Sequence, residues 1–386
     1  MYDGSDSRPR AMLVSRNFPP LVGGMERVNQ HLLEELAREW RVALCGPRGC
    51  AAFAQTSAET AETTVKPLPR FLVGTTLRAI SMAVRLRPDM VVAGSGLTAP
   101  IAWLAARLVG ARLVVYLHGL DIIAPSGIYQ RVWLPFIRAC DLVLVNSRNT
   151  SSLAQARGVR AERVRILHPG TRVPELDEAV GRNFRRKYAM AENPIMLSVG
   201  RFTRRKGLAE FVTGALPTIL ARRPDALLVV IGEEATDALH SHGGSERERI
   251  LAAARAAKVE GSIRFLGRCD ESELSAAYQA AQVHVFPVLE QVGDVEGFGM
   301  VAVEAAAHGL PTVAFAVGGV PDAIEEPGSG TLVPPAMYAQ FADAVIDLLA
   351  RDPGDHVVAC RRFALGKDWT AFGNRLRSLV RVDARV

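Results

Sequence analysis

Two glutamates stand eight positions apart in Glu296-Gly297-Phe298-Gly299-Met300-Val301-Ala302-Val303-Glu304. A pair of carboxylates can do acid/base work on a glycosidic bond. It can also help to hold a polar ligand. The surroundings favour holding. The apolar run Val283–Phe286 reads as a strand, and Met300–His308 reads as a helix that Gly309 is placed to end. Glu296 then sits on a strand-to-helix loop and Glu304 about a turn into the helix. Two glycines let backbone amides approach a ligand, and a helix N-terminus attracts an anion or a sugar oxygen. Packing gives no reason for Glu304 in a run of Val and Ala.

A second cluster follows the run Ile195–Val199. Gly200-Arg201-Phe202-Thr203-Arg204-Arg205-Lys206-Gly207 puts four cations between two glycines at a helix entrance. Guanidinium forks and an ammonium suit a diphosphate, although a solvated basic loop has the same composition. Three further junctions carry polar residues. Asn17 to Glu26 contains Gly23-Gly24, which opens a helix and either presents amides to a phosphate or is a plain turn. His118-Gly119-Leu120-Asp121 puts a histidine at a strand end, to bond a sugar hydroxyl or serve structurally. Val317-Gly318-Gly319-Val320-Pro321-Asp322 is a glycine turn with Pro321 suited to an early helix position, either a further ligand-facing junction or a tight loop that needs no ligand.

The elements that position these loops follow one rhythm. Strands are expected at Ala11–Ser15, Val42–Cys45, Met90–Ala93, Leu113–Leu117, Leu142–Val145 and Val164–Leu167, with helices such as Met25–Arg38, Leu77–Leu86, Pro100–Leu108 and Thr150–Ala156 between them. The stretch 173–194 interrupts the pattern as a linker with a basic helix near Phe184–Tyr188. Strands then resume at Ile195–Val199, Leu227–Ile231, Ile263–Leu266, Val283–Phe286, Thr312–Phe315 and Thr331–Val333. Alternating βαβ units imply parallel, doubly wound sheets. The expected class is α/β, with two Rossmann-like domains facing a cleft: residues 1–172, then 195–365, with a C-terminal helix in 366–386 packing back on the first. Ligands of such sheets bind outside the C-terminal strand ends.

Composition narrows the function. A chain of 386 residues, 49% hydrophobic and 22% charged, suits two globular domains without a membrane span. Met1–Arg10 lacks an apolar signal core and reads as a polar leader. Five cysteines without CxxC spacing fit a reduced, cytoplasmic chain rather than a zinc or disulfide framework. The net charge of +6 is uneven: residues 1–172 hold 22 Lys and Arg against 12 Asp and Glu, and the remainder 24 against 28. The basic first half either attracts an anionic lipid surface, peripherally on the inner membrane face, or is an ordinary solvated surface. No nucleic-acid module is present. Asp-x-Asp, HExxH, the Walker lysine loop and GxSxG are missing, as is GxGxxG in the first half.

Taken together, these residues resemble the family 4 glycosyltransferases, from Val14 to about Val333. Pro20 to Val28 resembles that family's N-terminal loop and His118 to Ile122 its cleft histidine motif. Val199 to Gly207 resembles its phosphate-binding strand and loop, and Glu296 to Glu304 its E-x7-E signature. The resemblance implies the GT-B architecture and a retaining, metal-independent transfer with no cofactor. A nucleotide-diphosphate sugar would be the donor and a glycan or lipid-linked hydroxyl the acceptor, in envelope polysaccharide or glycolipid synthesis. Arg201 and Lys206 would hold the diphosphate and Glu304 the ribose. Glu296, with the backbone of Gly297, Phe298, Gly299 and Met300, would contact the donor sugar. His118 would lie near the transferred sugar, Gly24 would offer an amide near the distal phosphate, Gly23 and Gly200 would also line the donor site, and Gly267 and Arg268 would lie near the base. The chain departs from the pattern at Gly232-Glu233-Glu234, which is followed by a polar insertion, Ala235 to Arg249, and at His168-Pro169-Gly170-Thr171.

His118, Arg201, Lys206 and Glu296 are therefore the expected catalytic groups. The cations would meet the charge of the leaving diphosphate, and a donor phosphate oxygen would take the acceptor proton from the same face. Closure of the two halves around the donor is expected. Two other readings share these residues: a nucleotide-sugar 2-epimerase, which needs no acceptor, and a non-catalytic nucleotide-sugar-binding protein.

Overall fold

The computed structural model describes residues 7–57, 59–124, 126–190, 193–234 and 245–381. Residues 1–6 of the polar leader and 235–244 of the polar insertion lie outside the described residues. The chain divides into two compact units, Met1–Gly170 with Trp369–Val386, and Thr171–Asp368.

Among the described residues the first unit holds seven strands: β1 (Arg10–Val14), β2 (Arg41–Pro47), β3 (Glu59–Thr63), β4 (Met90–Ala93), β5 (Arg112–Leu117), β6 (Leu142–Val145) and β7 (Val164–Ile166). They form one parallel sheet in the order β3-β2-β1-β4-β5-β6-β7. A parallel sheet covered on both faces needs nearly continuous apolar strands. Met12, Val14, Val91, Val115 and Val143 accordingly lie in its core. The expected strand list lacks β3, because Glu59-Thr60-Ala61-Glu62-Thr63 is polar, as an edge strand can be.

The helix Leu68–Leu86 begins nine residues before the expected Leu77. Pro69 sits in its first turn, where a missing N–H does no harm. Gly74 lets its flank lie on β3, since a Cβ there would meet Thr63 Cγ2 at 3.0 Å.

The last helix, Trp369–Val380, packs on the helix Gly24–Ala37. Trp369 stacks on His31 at 3.7 Å between ring centroids. Arg377 pairs with Glu35, and Arg112 donates to the carbonyl of Val380 at 3.1 Å.

Among the described residues the second unit holds six parallel strands: β8 (Ile195–Val199), β9 (Leu227–Ile231), β10 (Ile263–Gly267), β11 (Val283–Phe286), β12 (Thr312–Phe315) and β13 (Gly330–Val333), in the order β10-β9-β8-β11-β12-β13. Its larger core includes the edge-to-face rings of Phe211, Phe315 and Phe341. The stretch 173–194 carries the helix Glu178–Lys187, which starts earlier than the expected Phe184–Tyr188. This helix is docked rather than free. Arg185 donates to the carbonyls of Ala280 and Asn193, and a Cβ on Gly181 would meet Gln279 O at 2.8 Å.

Strand order reverses between β1 and β4 in the first sheet and between β8 and β11 in the second. The crevice outside the strand ends at such a reversal is where α/β sheets receive ligands. Among the described residues no helix is long and apolar enough to cross a membrane.

Candidate active site

In the second unit, β8 and β11 are neighbours, and their exits bring the two clusters together. After β8 the chain makes a single 3-10 turn, Arg204–Lys206, and passes through Gly207 into the helix Leu208–Gly214. Gly207 has φ +68°, and a Cβ there would lie 2.0 Å from Pro287 O. A side chain would force the turn off the loop that follows β11. Leu289 N donates to Arg205 O at 2.8 Å, tying the same two loops.

This contact delivers Lys206 to Glu296. The ammonium donates to Glu296 Oε2 at 2.7 Å and lies 4.6 Å from the centroid of the Phe286 ring. Arg205 donates to the same oxygen and, through Nε, to Asp294 Oδ1 at 3.1 Å. Glu296 and Arg205 each expose 13% of their side chains and Lys206 20%. Burial alone would raise the Glu296 pKa, but Arg205 and Lys206 outweigh it and hold the carboxyl at about 2. Burial lowers the Lys206 pKa, and Glu296 only partly offsets that. The site is a carboxylate that stays charged, under two cations.

The glycine turn after β12 fixes the loop that carries Glu296. Gly319 N donates to Glu296 O at 2.8 Å, and a Cβ on Gly319 would come within 2.0 Å of Gly297 O. The turn is therefore a brace, and its glycine is needed for contact between backbones. From this loop Gly299 caps the helix Met300–Ala307, whose first residue, Met300, is half-buried. Phe298 is buried, with Lys367 Nζ 5.8 Å from its ring centroid. Glu304 is buried in the second turn, where it accepts from Tyr278 Oη at 3.3 Å. Tyr278 stacks on His308, and His308 bonds Ser275 Oγ at 2.9 Å.

Gly200, Arg201, Thr203, Lys206, Phe286 and Ile250 line a cavity at the exit of β8. Arg201 is exposed, and its charge adds to the lowering of Lys206. Gly267 ends β10, two strands from β8, and its carbonyl accepts from Gly232 N at 2.9 Å; Arg268 beside it is exposed. Glu234, at the start of the divergent segment, accepts from Ser245 Oγ at 2.6 Å and from Arg247 N at 2.9 Å.

The first unit gathers its own polar residues at the β1–β4 reversal. Gly23 precedes the helix Gly24–Ala37 in extended backbone. The Glu26 carboxylate folds over it, so that a Cβ on Gly23 would meet Oε2 at 2.4 Å, and Asn17 Nδ2 donates to Glu26 Oε1 at 2.9 Å. The Glu26 side chain thus already lies over Gly23. His118 leaves β5 with Nε2 3.0 Å from Gly94 O. Asp121 holds that loop, accepting from the backbone N–H groups of Gly96, His118 and Gly119 at 3.0 Å each.

The structure therefore unites Gly200, Lys206 and Glu296 in one cluster, with Arg201 at its edge. Glu304 sits one helix turn farther in, and Gly267 and Arg268 lie two strands away. Sequence reasoning gave no individual role to Arg205, Asp294 or Phe286. The run of cations flagged Arg205 only as a type, and Asp294 carried no motif signal.

Two Rossmann-like sheets with a basic loop and a paired-glutamate helix define a nucleotide-sugar-dependent glycosyltransferase of the GT-B fold class. Residues 22–173 match the family model described as Glycosyltransferase Family 4, and residues 181–362 that described as Glycosyl transferases group 1. The chain belongs to the family 4 glycosyltransferases. It is 29% identical over 374 residues to a GDP-mannose-dependent alpha-(1-6)-phosphatidylinositol monomannoside mannosyltransferase of Mycobacterium tuberculosis, covering 93% of each chain. It is 29% identical to the protein of the same description from Mycolicibacterium smegmatis, over 96% of this chain and 97% of that one. Among solved structures, the Anabaena protein HepE with UDP-glucose aligns with a TM-score of 0.76 at 19% identity, over 96% of this chain and 98% of that one. At that identity the likeness concerns the fold.

Proposed function

We propose that this enzyme transfers a hexosyl group, with retention of configuration and without a metal ion, from a GDP-sugar to a hydroxyl of a phosphoinositide-type glycolipid. The observation that carries the reading is the Lys206–Glu296–Arg205 cluster, buried at the exit of the strand beside the sheet's reversal. Fixed cations in a water-poor site stabilise the charge of a departing diphosphate without reorganisation during the reaction. The donor and acceptor classes follow the mannosyltransferases that this chain resembles over 93% of its length.

In this mechanism Lys206 and Arg201 bind the diphosphate and take up its growing charge. Glu296 orients donor hydroxyls, and Glu304, held by Tyr278, contacts the ribose. The cations on Glu296 keep it ionised and weakly basic, which suits it to accepting hydrogen bonds rather than attacking carbon. The donor's own phosphate oxygen then takes the acceptor proton, so the acceptor enters on the face the diphosphate leaves. The test is incubation of the purified chain with GDP-mannose and phosphatidylinositol monomannoside, with NMR of the product. An α-linked dimannoside is expected in the presence of a chelator. A β-linkage, or turnover abolished by chelation and restored by a divalent ion, would overturn the stereochemical or the metal-free part. No transfer to any extracted lipid, from GDP-, UDP-, ADP- or dTDP-sugars, would overturn the whole.

The acceptor implies a membrane surface, and the helix Leu68–Leu86 has the chemistry for one. From Lys66 to Pro88 the chain carries five cations (Lys66, Arg70, Arg78, Arg85 and Arg87) and no carboxylate. Val73, Leu77 and Val84, on one stripe of that helix, are 57–65% exposed. An apolar stripe flanked by arginines suits the anionic headgroup layer, peripherally on the cytoplasmic leaflet. Sedimentation should show binding to phosphatidylinositol-containing vesicles that weakens as salt rises. Equal binding to neutral vesicles would remove this part of the proposal.

A further inference from the structure

Arg205 sits beside Lys206 on the turn after β8 but, among the described residues, its side chain reaches only carboxylates. Its Nε donates to Asp294 Oδ1 at 3.1 Å and its Nη1 to Glu296 Oε2, the same oxygen that takes Lys206 Nζ at 2.7 Å. Its carbonyl is pinned by Leu289 N at 2.8 Å. The guanidinium is held by two carboxylates, whereas Lys206 has, among the described residues, one ion-pair partner and a flexible stem. A diphosphate arriving at the β8 exit competes with Glu296 for the Lys206 ammonium. If Lys206 turned away and nothing replaced it, Glu296 would be left as an unpaired carboxylate in a nearly dry site, and would take up a proton or leave its position.

We propose that Arg205 is the positioning residue that keeps Glu296 ionised and aimed when Lys206 passes its ammonium from Glu296 to the donor diphosphate, and that Asp294 sets the orientation of Arg205. The proposal rests on the reading of Lys206 as a diphosphate ligand. Arg205 is suited to the role: burial opposes its charge, but Glu296 and Asp294 raise its pKa above the ordinary arginine value. Among the described residues, the charged groups at Glu296 are Arg205 and Lys206 from the turn and, through Arg205, Asp294 from its own loop. Arg201 acts on Lys206, and the brace at Gly318–Gly319 adds backbone only.

The test compares Arg205→Gln, Arg205→Lys and Asp294→Asn with the natural chain, measuring kcat and kcat/KM for the donor from about pH 5 to 9. The pH dependence of kcat/KM reports the free enzyme and that of kcat the bound complex. In free Arg205→Gln, Lys206 still neutralises Glu296; in the bound complex nothing does. The expected result is an acid limb in kcat moved up by about one pH unit, a tenfold loss per unit below it, with the limb of kcat/KM moved less. Arg205→Lys should restore part of the shift, and Asp294→Asn should show a smaller shift of the same sign. If Arg205→Gln does not fold, Asp294→Asn carries the comparison. A lower melting temperature with both limbs unmoved, or moved equally, would overturn the proposal. Titration of Lys206→Ala with GDP separates the two levels. Weakened GDP binding together with unmoved limbs overturns only the role of Arg205. Unchanged GDP binding overturns the diphosphate reading, and the hand-over with it.

Discussion

Lys206 Nζ lies 2.7 Å from Glu296 Oε2, although 90 positions separate the two residues. Two adjacent strand exits make that contact, and it joins the phosphate-binding loop to the paired-glutamate segment. Lys206→Ala should remain folded, because Arg205 still neutralises Glu296, and should lose about 2–4 kcal/mol of transition-state stabilisation, a fall in kcat of roughly 30- to 1,000-fold. Steady-state kinetics with saturating acceptor, beside a circular dichroism spectrum, checks both halves. Turnover within a factor of three of the natural enzyme would remove Lys206 from the mechanism.

The same ion pairs make a stability prediction with a definite sign. The Glu296 pKa falls from 4.5 to about 2 on folding. A group depressed in this way contributes stability that is fully present above about pH 4.5 and is lost as the pH falls toward 2. The contribution is at most about 3 kcal/mol. Urea unfolding midpoints at pH 5.5 and pH 3 should fall for the natural chain by more than for Glu296→Gln. Equal losses in the two proteins would show that Glu296 takes no part in acid unfolding.

Much of this arrangement was legible in the residues. The strands beside the site are largely apolar and buried, interrupted only by Ser198 in β8 and His284 in β11, and the glycine-flanked cations and the E-x7-E spacing stand out against them. What was not legible has a common cause, which is pairing at long range. Arg205 meets Asp294 across 89 positions and Tyr278 meets Glu304 across 26, with no periodicity to announce either. The Val317–Asp322 turn read as a plain loop because its role is a backbone contact with Gly297. The strand β3 was hidden by its polar composition. His118 stands out with Asp121 as a motif, but the bonds that hold it, from its backbone to Asp121 and from its ring to Gly94 O, carry no sequence signal.

That brace gives a third expectation. In Gly319→Ala the added methyl would meet Gly297 O at 2.0 Å, a backbone atom that cannot swing aside. One loop must move, carrying Glu296 with it. Strain of this kind costs about 1–3 kcal/mol. The melting temperature should fall and the donor KM should rise several-fold. Gly261→Ala is the control, since a Cβ there meets nothing within 4 Å. A Gly319→Ala protein matching that control in both measurements would show that the turn does not position the glutamate loop.

In the first unit the corresponding device is Asp121. Its carboxylate accepts backbone N–H groups from Gly96, His118 and Gly119, at 3.0 Å each. Those donors come from the loops after β4 and β5, so one side chain sets the distance between the two strand exits. Hydrogen bonds to a charged acceptor contribute about 1.5–3 kcal/mol each, and their loss leaves the N–H groups unmet. Asp121→Ala should therefore destabilise the protein by about 2–4 kcal/mol and free the His118 ring from Gly94 O. Asp121→Asn keeps an acceptor and should lose about half as much. If His118 acts on the transferred sugar, Asp121→Asn should lower kcat in step with His118→Ala, and the double variant should be little worse than either. Losses that multiply would mean that Asp121 and His118 act independently.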